Sequence, residues 1–345
     1  MRHDLTDLVR QELGDPAAEI AEQRVEPVDC PSYALSTAGL HRVRGTTTSG
    51  RSWSFFVKSV RSLRVWDGLA AFPEDLRPLM GELFPWRSDA DAYLAAEPLP
   101  AGLRMPRLCR LDALDDDRLV MWLEDVEEAP GAWDLDRYHR AARLLGELAA
   151  MRPATGINSS LRMFATNIPS RVMIPPLMDD AVWRHPLVAP HAGERLREDI
   201  AFLASRITAI LDALERLPHT GVHGDASPHN LLVPADGSAE FVAVDWSWNS
   251  PGAAGFDLGQ LVVGRAHDGT LPVADLPAVH EAVTDGYGGV MKHDGYVAAM
   301  VVRSLWTAIP VQSLTDEPDD DLRAFFAQRV ALARHLAGLG RSLDL

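Results

Sequence analysis

The chain has 345 residues, 47% of them hydrophobic and 24% charged, which is enough for about two domains that bury their own cores without staples. A formal net charge of −16 argues against a nucleic-acid partner, which needs basic patches, and fits either plain solubility or the steering of a cationic ligand. The two cysteines, Cys30 and Cys109, are no disulfide framework and point to a reducing cytoplasm, while no apolar run nears the roughly 20 residues of a membrane span.

In chain order, residues 1–25 read as a helix with a polar extension, Leu5, Leu8, Val9 and Leu13 forming its apolar stripe. Its charged start is unlike a signal peptide. From Cys30 the pattern turns to strands: one beginning at Tyr33 to Leu35, a second over Leu40 to Thr46, and a third over Trp53 to Val60. Small polar connections, STAG at Ser36 to Gly39 and TTTSGR at Thr46 to Arg51, join them into a three-stranded antiparallel meander. Lys58 lies in the apolar third strand, where a charge is costly unless paired. It is one of only two lysines, with Lys292, among 33 basic residues. Arginine's fork does not replace a compact ammonium everywhere, so each lysine is a candidate for a specific role.

The connection Arg61 to Phe84 is expected to add its own helix, and Pro85 opens another, with Trp86, Ala90, Tyr93 and Leu94 along one side. Leu119 to Leu123 is a buried strand that runs into the acidic stretch Glu124 to Gly131. A boundary is placed there, dividing the chain into 1–127 and 128–345. Beyond it the chain is mainly helical: Asp136 to Met151, Leu196 to Leu217 and Ala324 to Leu336 are periodic, with a Pro-rich segment, Pro153 to Pro190, between the first two.

Chemistry concentrates in Val222 to Asp245, VHGDASPHNLLVPADGSAEFVAVD. A short strand enters the polar loop His223 to His229, Asn230 opens a strand, PADGSA turns, and EFVAV returns to Asp245. Pairing around that turn sets Asn230 opposite Asp245, with Cβ atoms about 5 Å apart. An amide oxygen and a carboxylate are hard ligands suited to Mg²⁺ carried with nucleotide phosphate. Asp225, in the preceding loop, is placed to accept a proton from an attacking hydroxyl. With Lys58 as the cation on the donor phosphates, the parts that phosphoryl transfer requires are present. No Cys/His cluster has zinc spacing and no G-x-S-x-G elbow occurs, which removes metallohydrolase and serine hydrolase readings.

These segments carry a resemblance. HGDASPHN matches H-x-D-x-x-x-x-N, VDW at Val244 to Trp246 a metal-binding motif, SPGAAGFDLGQL at Ser250 to Leu261 the segment after it, FVK a nucleotide-lysine strand and WLEDV a hinge strand. Over roughly residues 30–262 the chain resembles the aminoglycoside phosphotransferase and choline kinase family, relatives of the protein kinases. The resemblance implies an α+β, two-lobed protein-kinase-like fold, with an antiparallel-sheet N-lobe and a mainly helical C-lobe. It implies ATP as co-substrate and Mg²⁺, with Asp225 as catalytic base, Asn230 and Asp245 on the metal, and Lys58 on the α/β-phosphates. His223 would support the loop, and Asp257 would accept hydrogen bonds from its backbone or cap a helix. Adenine would sit near Trp122 to Val126, with Glu124 and Val126 in the nucleotide site. The family's glycine loop is missing, so Ser36, Thr37 and backbone N–H groups would cover the phosphates. The usual glutamate partner of Lys58 is also missing from WRSDADAY. Asp89 shares the face of Trp86, Ala90 and Tyr93, whereas Asp91 falls about 200° away, so Asp89 is the candidate partner. His229 reads as a loop residue rather than a catalytic one.

The acceptor is a small-molecule hydroxyl, with a cationic antibiotic of aminoglycoside type suited to the charge and a sugar, choline or amino alcohol suited to the motifs. Its walls would come from the C-terminal helices, from Pro153 to Pro190, and from the acidic residues Asp179, Asp180 and the run Asp316 to Asp321, a run that usually marks a solvated loop. A kinase acting on Ser/Thr of a peptide and a non-catalytic kinase-like nucleotide-binding protein are the rival readings. A long open groove would mark the first, and loss of base, metal ligand or lysine the second.

Overall fold

A computed structural model describes residues 5–29, 35–156, 159–288, 293–315 and 317–343. Cys30, the strand start at Tyr33, Lys292 and Asp316 lie outside the described residues. The described chain forms two compact units. One takes in residues up to Pro98, Arg104–Pro130 and Leu232–Ser247; the other takes in Leu99–Leu103, Gly131–Leu231 and the rest from Trp248.

The first unit is built on a five-stranded antiparallel sheet. Helix α1 (Thr6–Leu13) is short, because Gly14 adopts φ 59° and its N–H closes the last turn on the carbonyls of Arg10 and Gln11. The helix expected to continue to residue 25 is therefore replaced by β1 (Ile20–Pro27), which pairs with β2 (Thr37–Thr47). Most of β1 is exposed at the sheet edge, so no apolar alternation marks it. Its charges Glu22, Arg24 and Glu26 keep the edge from pairing elsewhere. Thr37 to Gly39 belongs to β2 rather than to a connection, and Leu35 lies in a turn. Next come β3 (Ser52–Arg61), α2 (Arg77–Leu83) after three short turns, α3 (Ser88–Ala95) and a two-residue strand β4 (Leu103–Arg104). Strands β5 (Leu108–Asp115) and β6 (Arg118–Glu124) complete the sheet, in the order β1-β2-β3-β6-β5.

Alternation along β3 decides what each face carries. Trp53, Phe55 and Val57 point to one side, where they form a core with Leu5, Leu8 and Val9 of the α1 region, Val43 and Trp122. Lys58 falls on the other side, opposite Leu40 of β2 and Met121 of β6.

The second unit is mainly helical. Its helix α4 (Leu135–Met151) starts at Asp134, whose side chain accepts the Arg137 N–H. The helix expected over Leu196 to Leu217 breaks at Arg206 into Leu196–Ser205 and Ile207–Glu215. Buried Leu196, Ile200, Leu203, Ile207, Ile210 and Leu214 continue across the break without a change of phase, so the periodicity alone conceals it. The last helix runs over Asp320–Arg341, capped by Asp319, and is longer than its apolar stripe suggests. A small antiparallel sheet joins Pro153–Ala154, His219–Val222 and Ser250–Ala253. The polar loop leaves the His219–Val222 strand, and the Ser250–Ala253 strand leads through Ala254 and Gly255 into the helix Phe256–His267.

Candidate active site

In the first unit β3 delivers Lys58 to two carboxylates. Its Nζ lies 2.6 Å from Asp89 Oδ2 and 2.8 Å from Asp245 Oδ1. Lys58 is 6% exposed and Asp89 2%. Burial by itself lowers the lysine pKa, but the two carboxylates outweigh it, and the ammonium is held charged well above its ordinary range. Burial pushes the Asp89 carboxyl upward, opposed by the Lys58 charge and by a hydrogen bond from the Trp246 N–H. That bond, 2.9 Å to Asp89 Oδ1, gives each Asp89 oxygen its own partner. Asp91, one of the two aspartates on α3, points away and pairs with Arg87 at the surface.

Asp245 has φ 59°, a left-handed conformation uncommon outside glycine. Such backbone clusters at functional sites. It follows the strand Phe241–Ala243. Asn230 does not open a strand; it ends the turn Pro228–Asn230, and only Leu231–Leu232 after it is extended. The expected cross-strand pairing of Asn230 with Asp245 is corrected accordingly. Pro228 starts the turn with its fixed φ and missing donor, and the left-handed Asp245 lies beyond the return strand.

Ser36 and Thr37 are buried at the start of β2, where the Ser36 carbonyl accepts the Arg61 N–H at 2.8 Å and Thr37 sits opposite Val60. Glu124 ends β6. Its carboxylate receives the Arg104 fork at 2.8 Å to each oxygen and the Arg107 N–H at 3.0 Å. Burial opposes ionisation, but these donors outweigh it and its pKa is lowered. The Glu124 side chain is thus engaged by Arg104, and the half-buried Val126 follows it. Asp125 lies between them. It accepts Ser54 Oγ at 2.5 Å and Arg42 Nε at 2.9 Å, which pins this segment to β2 and β3. Surface-type residues at such spacing carry no sequence signal of that contact.

In the second unit Asp257 organises the loop. It sits in the first turn after Gly255, so it is not the helix cap. Its oxygens accept the backbone N–H groups of His223 at 2.9 Å and Gly224 at 2.7 Å. Burial raises its pKa to about 6, against the pull of these two donors. Gly224 has φ +84°, and a Cβ there would lie 2.1 Å from the Trp248 carbonyl oxygen, so only glycine fits. The fully buried His223 ring accepts the Asp225 N–H through Nδ1 at 3.3 Å. The Asp225 carbonyl accepts the Ser227 N–H and Asn230 Nδ2, each at 2.8 Å. His229 pairs through Nε2 with Asp268 at 2.6 Å. Arg303, absent from every motif, donates to the Gly224 carbonyl at 2.8 Å and reaches Asp225 Oδ1 at 3.4 Å.

Asn230 in one unit and Asp245 in the other each offer an oxygen of the kind a magnesium ion takes. Among the described residues no three His, Cys, Asp or Glu side chains gather as a protein cage. Asn230 commits its Nδ2 to the loop, which turns its amide oxygen to the opposite side, and Asp245 is a partly exposed carboxylate. Few protein oxygens with the remainder from phosphate and water is the usual arrangement for Mg²⁺. Of the acidic wall candidates, Asp179 caps the helix Asp180–Arg184, and Asp180 pairs with Arg197 at 2.6 Å. Asp320 is fully exposed.

No protein-family model matches the chain, and neither does any curated protein sequence. Solved structures do match. A microcompartment-associated aminopropanol kinase is 14% identical with a TM-score of 0.52, over 97% of this chain and 98% of that one. An amicoumacin kinase in complex with AMP-PNP and Ca²⁺ is 12% identical with a TM-score of 0.50, over 98% of this chain and 94% of that one. The chain therefore shares the protein-kinase-like fold of these structures, with an antiparallel-sheet unit and a helical unit. No helix among the described residues is long and apolar enough to cross a membrane.

Proposed function

We propose that the chain is an ATP- and Mg²⁺-dependent phosphotransferase that moves the γ-phosphoryl group to a hydroxyl of a small molecule. The buried Lys58 with its two carboxylates carries this reading. An ammonium fixed from two sides is a preorganised charge of the kind that meets donor phosphates. The complex of the similar amicoumacin kinase with AMP-PNP and Ca²⁺ supports a nucleotide and a divalent metal.

In the proposed reaction the acceptor oxygen forms a bond to the γ-phosphorus, the bond to the ADP oxygen breaks, and the hydroxyl proton passes to Asp225. Asn230 and Asp245 would hold Mg²⁺, which supplies charge neutralisation on the phosphates. Lys58 would hold the α/β-phosphates, and Asp89 keeps Lys58 in place. Ser36, Thr37 and the backbone around them would cover the phosphates, while the backbone of Glu124 to Val126 would meet the base. Asp257 and Gly224 keep the loop rigid, so that positioning carries much of the rate. The net charge of −16 favours an acceptor with amino groups, such as an aminoglycoside-like antibiotic or an amino alcohol.

ATP with Mg²⁺ should raise the melting temperature, since a ligand that binds only the folded state stabilises it by mass action. A melt unmoved by millimolar ATP or GTP with Mg²⁺ would sink the proposal. Labelled ATP offered with aminoglycosides, amino alcohols and sugars then identifies the acceptor.

A further inference from the structure

Arg303 lies on the helix His293–Ser304, and its side chain is only 10% exposed. Its guanidinium meets three groups: the Gly224 carbonyl at 2.8 Å, Asp225 Oδ1 at 3.4 Å and the Trp248 ring, 4.6 Å from carbon to centroid. Phe164 stands edge-on to the same indole. A buried cation is costly unless paired, and the carboxylates acting on this one are Asp225 and Asp257. Asp257 grips the loop through the N–H groups of His223 and Gly224. Arg303 grips the same stretch through the Gly224 carbonyl and extends the grip to the Asp225 carboxylate.

We propose that Arg303 is a positioning residue for the transfer, its fork fixing the Gly224 carbonyl and Asp225 Oδ1 together so that Asp225 Oδ2 meets the acceptor hydroxyl in one orientation. The inference rests on the reading of Asp225 as the group that takes the hydroxyl proton. The 3.4 Å contact is longer than the roughly 2.7–2.9 Å of a full charge-assisted bond, so it orients the carboxylate without locking it. Two acceptors and a flat aromatic neighbour explain arginine here, since an ammonium has neither the rigid fork nor the stacking plane.

The test compares Arg303→Met, Arg303→Lys, Asp225→Asn and the double variant Asp225→Asn/Arg303→Met. The probe is single-turnover transfer from Mg·ATP to water and to an aminoglycoside panel, with Mg·ATP affinity measured alongside. A misplacement of about 1 Å can cost on the order of 100-fold, so Arg303→Met should slow transfer by about 10- to 100-fold, with nucleotide affinity unchanged. Arg303→Lys should recover part of the loss. In the double variant, losing Arg303 should add nothing to the loss from Asp225→Asn, because groups that act as a unit are not additive. Losses that multiply would assign Arg303 a general structural role and overturn the inference. If Asp225→Asn is slow and Arg303→Met is not, the inference fails alone; if Asp225→Asn keeps the wild-type rate, the base reading fails. A crystal structure of Arg303→Met is independent of turnover. The Asp225 carboxylate should leave its position while Asp257 keeps both loop bonds, and an unmoved carboxylate overturns the proposal.

Discussion

Asp225→Asn should slow phosphoryl transfer by about 10²- to 10⁴-fold, the range of a well-placed general base, with Mg·ATP affinity nearly unchanged. Asparagine keeps the shape, and the hydrogen bonds of the Asp225 backbone to the loop are left in place. The carbonyl accepts Ser227 N–H and Asn230 Nδ2, and the N–H reaches His223. Asp245→Asn should differ, because it removes the charged ligand proposed for Mg²⁺ and a partner of Lys58. Nucleotide affinity and turnover should then fall together. Calorimetry with Mg·ATP and single-turnover transfer separate the two outcomes. An Asp225→Asn enzyme that transfers normally but binds nucleotide poorly would reverse the roles assigned to the two aspartates.

The second large effect is expected at Lys58. Lys58→Met removes the cation from between Asp89 and Asp245 and leaves a buried carboxylate uncompensated. Breaking a buried pair in this way costs about 3–5 kcal/mol, reduced here because the Asp245 side chain is 28% exposed and keeps some solvent. Lys58→Arg preserves charge but brings a planar fork where a point charge fits between two acceptors, so turnover should drop more than stability. Asp89→Ala should destabilise and inactivate. Asp91→Ala should do neither, since its pairing with Arg87 at 3.6 Å is a surface i,i+4 contact of about 0.3–0.5 kcal/mol. Denaturant midpoints and turnover check both; matching behaviour of the two alanine variants would show that the Lys58 pairing sets Asp89 apart from Asp91 in neither stability nor turnover.

The positions of Lys58, Asp89 and the polar loop were legible because the residue types are costly where they stand. A lysine in an apolar strand needs a partner, and helical geometry separates Asp89 from Asp91. Strand β1 was not legible, since an edge strand exposed over most of its length shows no alternation. Arg303 was hidden for a different reason. It contacts Asp225 across 78 positions of sequence, and in a chain whose basic residues are nearly all arginine nothing marks one of them. Asn230 was not legible as a turn residue, since the apolar NLLV it opens reads as a strand while Pro228 draws it into a turn.

The scarcity of lysine also shapes how the protein meets electrophiles. An ammonium has no lone pair with which to attack, and Lys58 is kept protonated by Asp89 and Asp245 and shielded from solvent. General acylating reagents should therefore pass it by. An electrophile borne on a nucleotide phosphate would behave differently if it were held beside Lys58: the ammonium proton would pass to Asp89 or Asp245, the freed lone pair would attack, and the reagent's leaving group would depart. With two lysine side chains in the whole chain, such a reagent has almost no competing amines, and Lys58 becomes a naturally selective target for affinity labelling.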